Sequence, residues 1–222
     1  MSLLLIIDTA TEIATICISK NDVVIESVVN TQQKDHASFL QSSIKNLFRT
    51  TGHSIAELTA VSVTTGPGSY TGLRVGIASA KGLCYALKIP MIGLNTLEVM
   101  AHSSIKATEQ GTDNFLYTPM IDARRSEVFT ATYDNRLNEI LPASVMTLED
   151  QSYNDILNQH TIIFSGSGSQ KWAKIISHKN AVFQDVKISP ESLAALAYRK
   201  LEQSDFSNIL TTDALYLKEF YN

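Results

Sequence analysis

The order of the apolar segments constrains the fold of this chain more than any other feature. Residues 3–7, LLLII, form a continuous apolar run that is typical of a strand buried on both faces. Residues 14–19 and 23–29 predict two more strands. Asn21 and Asp22 lie between them and suit a hairpin turn, because both residue types tolerate positive φ. The chain therefore begins with three consecutive strands.

Helices and strands alternate after this opening. An apolar stripe at helical spacing predicts a helix that Asp35 is placed to cap. A strand over residues 60–65, a glycine-rich loop and a helix reaching about residue 87 come next. A strand over residues 91–94 and a helix from about residue 97 complete the order βββαβα. The stripe of the first helix consists of Ala37, Leu40, Ile44, Leu47 and Phe48.

The same pattern begins again after a polar segment, residues 109–114, which we interpret as a linker. LYTPMIDARRSEVFTATY (residues 116–133) echoes LLLIIDTATEIATICI (residues 3–18). Each segment has an apolar strand ending in Ile-Asp, so that Asp8 matches Asp122, and each continues through a polar turn into another strand.

The second half predicts helices near residues 148–158 and 170–177, a strand over residues 161–164, and a final helix over residues 190–203. Pro190 suits the first helical position, with Ser189 as its cap. Two βββαβα units in one chain are the architecture of actin-like ATPases and sugar kinases. We predict this α/β fold with two lobes, residues 1–108 and a smaller, less regular lobe of residues 109–222.

The glycine-rich segment TTGPGSYTGLRVGIASAKGLCYAL, residues 64–87, resembles a phosphate-binding loop but lacks its essential parts. A Walker loop needs a Gly-Lys pair at a fixed spacing, and here Lys81 precedes Gly82 instead. The dinucleotide pattern GxGxxG fails because Thr71 holds its third glycine position. A weak anion site at the helix start and a simple tight turn both remain open.

The helix that follows contains three glycines, Gly72, Gly76 and Gly82, each costing about 1 kcal/mol relative to alanine. A line of small residues, Gly72, Gly76 and Ala80 with Ser79 beside it, predicts close packing of a second helix. The spacing does not decide whether that helix belongs to this chain or to another protein.

Composition excludes several classes of function. The formal charge is −4, so the chain has no overall basic field for nucleic acid. Cys17 and Cys84 do not have the spacing of metal ligands, and we predict that both are buried thiols. The N-terminal apolar run lacks the basic leader of a signal peptide, and no run is long enough to span a membrane. We expect a cytoplasmic protein that does not bind membranes.

The polar residues give weak signals for catalysis. His36 is followed four residues later by Leu40, so the histidine pair of a helical metal site is missing, and we predict no metal site. Asp8, Thr9 and Thr11 occupy the turn that lies near the ATP phosphates in kinases of this fold, although Asp8 can simply bond turn backbone. Two interpretations of Asp122 with Arg124 and Arg125 stay open: a second phosphate loop, or a surface ion pair between these arginines and Glu127.

The segment GPGSYTGLRVGIASAKGL strongly resembles the motif of the TsaB (YeaZ) family. LIIDTATEIATICI, MIDARRSEVF and IIFSGSG extend the resemblance, in order and spacing, over nearly the whole chain. Tyr70 replaces a common phenylalanine. The C-terminal ALYLK, residues 214–218, departs from the family's PxYLR, which leaves the role of that terminal segment open.

The resemblance implies a non-catalytic scaffold of the actin-like (ASKHA, hexokinase/Hsp70) superfamily. Members act in N6-threonylcarbamoyladenosine (t6A) modification of tRNA at A37, by binding and activating the larger paralogue TsaD, with the ATPase TsaE. It implies no cofactor of the chain's own, ATP or ADP in or near the complex, and tRNA contact at most indirect. The glycine-rich helix would pair with TsaD or form a competing homodimer, with a partner interface made of Gly68, Tyr70, Thr71, Gly72, Arg74, Gly76, Ser79 and Ala80.

On this interpretation no residue is catalytic, and Asp8, Thr9, Thr11 and Asp122 are remnants of a nucleotide loop. Two alternatives stay open: a small-molecule kinase of the same fold, and an M22-type glycoprotease-like metallopeptidase. The absence of a phosphate-binding lysine disfavours the kinase. The absence of a metal-ligand pair disfavours the metallopeptidase.

Overall fold

The computed structural model describes residues 1–31, 36–108 and 114–217. Asp35 and most of the predicted linker, residues 109–113, lie outside these ranges, as does Lys218 of the ALYLK segment.

The chain forms two compact units whose boundaries differ from the predicted single boundary after residue 108. Unit 1 contains Met1–Thr96 and Ser189–Leu215, and unit 2 contains Leu97–Ile188 with the described residues after Leu215. The two boundaries differ because the helix at residues 190–202 packs on the first sheet. The helix that begins at Thr96 packs with the second unit.

Unit 1 is built on a five-stranded mixed sheet with the order β3-β2-β1-β4-β5. Antiparallel neighbours β1, β2 and β3 form the predicted meander, and Asn21 takes a φ of 54° in the β2–β3 turn. Parallel strands β4 and β5 follow on the other side of β1. The strands span Leu3–Asp8, Ala14–Lys20, Val23–Asn30, Ala60–Gly66 and Met91–Asn95.

Three helices and one 3₁₀ turn belong to this unit. Helix α1, His36–Thr51, buries Leu40, Ile44 and Leu47 of its predicted stripe. The 3₁₀ turn, Ile55–Glu57, follows it. The third helix in the unit, Pro190–Glu202, is capped by Ser189 as predicted and is numbered α6 below.

Helix α2, Tyr70–Leu87, packs its glycine-containing face on its own sheet. A Cβ atom built at Gly76 would fall 3.4 Å from Val63 Cγ2 and 3.5 Å from Ile7 Cγ2, on strands β4 and β1. The same atom would overlap the Thr9 hydroxyl. A Cβ at Gly72 would overlap the Thr9 carbonyl oxygen, which is backbone and has little freedom to move. The β1–β2 turn therefore lies directly on helix backbone.

This packing corrects part of the predicted partner interface. Gly72, Gly76 and Ala80 are buried within unit 1 and present no surface to a second protein. At Gly72 and Gly76 the absence of a side chain allows the helix backbone to approach the β1–β2 turn and the sheet closely. The expectation that these three residues line a partner contact is wrong.

Unit 2 repeats the sheet of unit 1. Its strand order is β8-β7-β6-β9-β10, which is the order of unit 1 with five added to each strand number. The pairings also correspond, since β6, β7 and β8 are antiparallel neighbours, whereas β6 with β9 and β9 with β10 are parallel. The strands span Phe115–Asp122, Glu127–Tyr133, Glu139–Thr147, Thr161–Ser165 and Ala181–Gln184.

The helices of unit 2 are much shorter than those of unit 1, apart from α3, Thr96–Ala107. Helix α4, Asn154–Leu157, and helix α5, Ser169–Trp172, have four residues each, so the longer helices predicted there are wrong. Buried Trp172 packs with Tyr153 and Phe164 in an aromatic cluster. The shared topology confirms the predicted duplication.

We predict opposite effects for two alanine substitutions in α2. Gly72→Ala places a methyl group against the Thr9 carbonyl oxygen and should lower the free energy of unfolding by about 2–3 kcal/mol. Gly82→Ala is the matched control, because no atom lies within 4 Å of its Cβ position, and it should raise stability by about 0.5–1 kcal/mol. Urea denaturation measures both. Equal effects at the two positions would contradict the packing described here.

Candidate functional site

The glycine-rich loop between β4 and α2 is occupied by the chain's own backbone. Ser69 N donates to the Ala10 carbonyl oxygen at 2.7 Å, and the Ser69 hydroxyl accepts from Gly72 N at 3.3 Å. A Cβ at Gly68 would overlap the same Ala10 carbonyl. In a phosphate loop these backbone N–H groups face the anion. Here the β1–β2 turn takes that place, so the geometry favours the tight-turn interpretation.

Asp8 ends strand β1 in a fully buried position. Its Oδ1 accepts hydrogen bonds from the Thr64 hydroxyl at 2.8 Å and from Ala10 N at 3.1 Å. Its Oδ2 is buried with no partner among the described residues. Burial raises the pKa of Asp8 from 3.8 to about 6, against the lowering effect of the two hydrogen bonds. Asp8 thus connects β1, β4 and the turn that fills the glycine loop.

The two threonines of the same turn also have internal roles. The Thr9 hydroxyl donates to the Gly72 carbonyl oxygen at 2.7 Å and joins the turn to helix α2. The Thr11 hydroxyl donates to the Ile13 carbonyl at 3.2 Å within the turn. Asp8, Thr9 and Thr11 therefore lie together as predicted, with hydrogen bonds that hold the turn on α2.

Asp122 lies at the corresponding position of unit 2 but is exposed. Its Oδ1 accepts from Arg124 N at 2.7 Å and from Lys171 Nζ at 2.6 Å. Its backbone N donates to the Ser167 hydroxyl at 3.1 Å. Although partial burial raises the pKa of Asp122, these contacts lower it overall. The Asp122 carboxylate forms an ion pair with Lys171, and the predicted ion pair between the arginines and Glu127 stays a prediction.

Helix α2 has an exposed side that we call the outer face, formed by Thr71, Arg74, Ala78, Gly82 and Tyr85. These residues recur every three or four positions, opposite the buried side of the helix. Small residues occupy its middle, and Tyr85 is 79% exposed. The Arg74 guanidinium carbon lies 4.0 Å from the centre of the Tyr70 ring, a cation–π contact at one end of the helix.

The predicted partner residues therefore separate into two groups. Tyr70, Thr71 and Arg74 are exposed and lie on or beside the outer face, and Ser79 is half-buried at its margin. Gly68 is half-buried and packed against Ala10, whereas the remaining three are buried.

The sequence interpretation missed three members of the outer face, Ala78, Gly82 and Tyr85. Their spacing from Thr71 and Arg74 follows the helical period, so plotting α2 as a helical wheel against its apolar stripe would have found them. Gly72, Gly76 and Ala80, which were predicted to line the interface, lie on the opposite, buried side of α2.

The described residues provide no donor set for metal chemistry. No group of three His, Cys, Asp or Glu side chains in this part of the chain is placed to hold a metal ion. Cys17 and Cys84 are buried free thiols, and burial raises the pKa of Cys84 to about 11. An open groove of about 360 Å³ in unit 2 is lined partly by Phe115, Ile140 and His160, and it contains none of the predicted site residues.

No helix within the described ranges has the length and apolar character required to cross a bilayer.

The buried position of Asp8 predicts an unusual dependence of stability on pH. Its folded-state pKa of about 6 lies above the unfolded value of 3.8, so between these values the folded state binds more protons. Its contribution to stability is therefore present at low pH and is lost as pH rises through 6, by about 3 kcal/mol in total. Asp8→Asn lacks this loss, so the variant should gain about 3 kcal/mol relative to the unmodified chain between pH 3.5 and 7 in urea denaturation.

Asp134→Asn is the control of opposite sign. Although some burial raises the pKa of Asp134, hydrogen bonds from Asn138 and from Arg136 N lower it overall. Its contribution to stability is thus lost as pH falls. A constant difference between the unmodified chain and Asp8→Asn across this range would show that Asp8 does not titrate abnormally.

Comparison with known proteins shows the family to which this chain belongs. The family model described as "TsaD: tRNA N6-adenosine threonylcarbamoyltransferase" matches residues 23–205. The chain is 26% identical to the "tRNA threonylcarbamoyladenosine biosynthesis protein TsaB" of Escherichia coli (strain K12), over 97% of this chain and 94% of that protein. It is 31% identical to the protein of that name from Bacillus subtilis (strain 168), over 66% of this chain and 63% of the relative.

The fold is shared with solved structures. "YeaZ from Pseudomonas aeruginosa" has a TM-score of 0.83 and 22% identity, with 98% of this chain and 100% of that chain covered. The inorganic polyphosphate/ATP-glucomannokinase from Arthrobacter sp. strain KM has a TM-score of 0.53 and 11% identity, with 92% of this chain and 100% of that chain covered. This chain therefore has the actin-like ATPase fold and belongs to the family described as TsaD: tRNA N6-adenosine threonylcarbamoyltransferase, within its TsaB (YeaZ) branch.

Proposed function

We propose that this chain is a non-catalytic partner that binds and activates a TsaD-type paralogue in forming N6-threonylcarbamoyladenosine at A37 of tRNA. Membership of the TsaB branch supports a role in this tRNA modification, because the relatives are named tRNA threonylcarbamoyladenosine biosynthesis protein TsaB. The observation that carries the partner role is the outer face of α2, a helix surface with a small-residue centre and an aromatic residue beside it. The complex works in the cytoplasm.

The outer face has the properties of a helix-docking surface. Ala78 and Gly82 are exposed, and the Cβ position of Gly82 has open space around it. A partner helix can therefore approach the α2 backbone closely at these two residues. Tyr85 and the Tyr70–Arg74 pair offer the aromatic and arginine side chains that contribute most at interfaces. The paralogue and a second copy of this chain would compete for this surface.

The same geometry disfavours the kinase alternative. A kinase of this fold needs backbone N–H groups and a cation directed at the phosphates. In unit 1 the Ala10 carbonyl oxygen accepts the Ser69 N–H group that would otherwise face a phosphate. In unit 2 the Lys171 ammonium is paired with Asp122. ATP or ADP, as part of our proposal, is held in or near the complex by the paralogue or by the ATPase TsaE. The metallopeptidase alternative finds no supporting donor set among the described residues.

A charged substitution on the outer face tests the proposal. Ala78→Arg places a long cation in the centre of the surface and should weaken binding to the paralogue about 100-fold, or about 3 kcal/mol. Calorimetric titration and size-exclusion chromatography of the mixed proteins measure it. The t6A content of tRNA made by the mixture should fall in parallel.

Ala56→Arg is the matched control, since Ala56 is an exposed alanine of unit 1 outside helix α2. It should bind the paralogue normally. Gly76→Arg is unsuitable, because Gly76 is buried and its substitution would disrupt the fold. Unchanged affinity of the folded Ala78→Arg variant for the paralogue would refute the assignment of this surface.

A further inference from the structure

The tip of the β6–β7 hairpin presents two adjacent arginines to solvent. Arg124 and Arg125 are both exposed. The hairpin closes through hydrogen bonds from Ala123 N to Glu127 O at 3.0 Å and from Glu127 N to Arg124 O at 3.1 Å. These bonds fix where both side chains leave the backbone, so the pair forms a defined cationic point on a chain whose formal charge is −4.

Both arginines have a left-handed backbone conformation, with φ of 66° at Arg124 and 51° at Arg125. Such positions favour glycine or asparagine, and a long side chain there is unfavourable to folding. Arginine at two successive left-handed positions is therefore not explained by stability of the hairpin. The side chains themselves are the feature that needs an explanation.

The Asp122 carboxylate, at the end of β6, is already bonded to Lys171 Nζ at 2.6 Å and to Arg124 N at 2.7 Å. Partial burial raises the pKa of Asp122, and the charge of Arg124 is among the contacts that lower it. Within the described residues, the Arg125 guanidinium makes no hydrogen bond or ion pair.

We propose that this hairpin tip directly contacts the phosphodiester backbone of the tRNA that the complex modifies, with Arg124 and Arg125 as the charged groups. This proposal departs from the indirect contact that the family resemblance implies. The inference rests on the proposed function, which supplies RNA as the substrate. Arginine binds phosphate oxygens through its planar set of N–H donors, and contacts of this kind position RNA without reading its sequence.

The geometry favours a phosphodiester over a bound nucleotide. A nucleotide polyphosphate requires a cradle of unengaged backbone N–H groups. Several backbone donors beside this hairpin are already used: Gly168 N bonds Met120 O at 2.9 Å, Ser169 N bonds Gly166 O at 3.1 Å, and Asp122 N bonds the Ser167 hydroxyl. The exposed charged groups of the tip are the two arginine side chains, which suit singly charged phosphates along an RNA strand.

The test uses the complex of the full-length chain with its paralogue and a fluorescein-labelled, unmodified tRNA transcript. The variant is the double substitution Arg124→Asn with Arg125→Asn, since asparagine accepts the left-handed conformation without the charge. We expect about tenfold weaker tRNA binding and a salt dependence, d log K/d log[salt], lower in magnitude by about 1.5 to 2. The melting temperature of the variant should be equal or higher.

Arg136→Asn is the matched control, because Arg136 is an exposed arginine in the turn at the opposite end of β7. It should bind tRNA like the unmodified complex. Unchanged tRNA affinity of the double variant, in a complex that still forms and still modifies tRNA, would overturn the hairpin contact alone. Loss of ADP binding without loss of tRNA binding would overturn it in favour of a nucleotide site. Failure of the unmodified chain to bind the paralogue would overturn the proposed function and this inference with it.

Discussion

The contact between the β1–β2 turn and helix α2 is the interaction on which the rest of unit 1 depends. Thr9 lies against Gly72 and Gly76, where a single added methyl group would overlap its carbonyl or hydroxyl oxygen. A hydrogen bond from Thr9 to the Gly72 carbonyl and one from Ser69 N to the Ala10 carbonyl complete the contact. Two glycines within a helix cost about 2 kcal/mol relative to alanine. The close approach of turn, helix and sheet offsets that cost.

This contact also fills the glycine loop of unit 1 with the chain's own backbone. The turn that approaches nucleotide phosphates in kinases of this fold rests here on the helix start, and its own carbonyl accepts the N–H group that an anion would otherwise meet. With one side of α2 committed to the sheet, the opposite side is the surface left for other molecules. The duplicated sheet order is retained, and on our proposal the exposed helix surface and the arginine hairpin are the parts that contact other molecules.

The sequence predicts unit 1 well because its signals are local and strong. Buried strands such as residues 3–7, the Asn21 turn and the Ser189–Pro190 cap each carry a distinct local chemistry. Strands β8 and β10 were missed because both are edge strands with exposed residues, and Pro142 interrupts the pattern in β8. The orientation of the glycine line was harder to predict, because glycine has no side chain whose polarity indicates which way it faces. Only its position beside the apolar stripe, with Gly76 next to Ile77, indicates that it faces the sheet.

A double-mutant cycle between Thr9 and Gly76 tests the central claim most directly, because only the Thr9 hydroxyl would overlap a Cβ at Gly76 severely. The free energy of unfolding is measured for the unmodified chain, Thr9→Ala, Gly76→Ala and the double variant. If the β1–β2 turn is the reason for the glycines, Gly76→Ala should cost at least about 1 kcal/mol less once the Thr9 hydroxyl is removed. Additive effects of the two substitutions would contradict this account and would separate the glycine line of α2 from the turn.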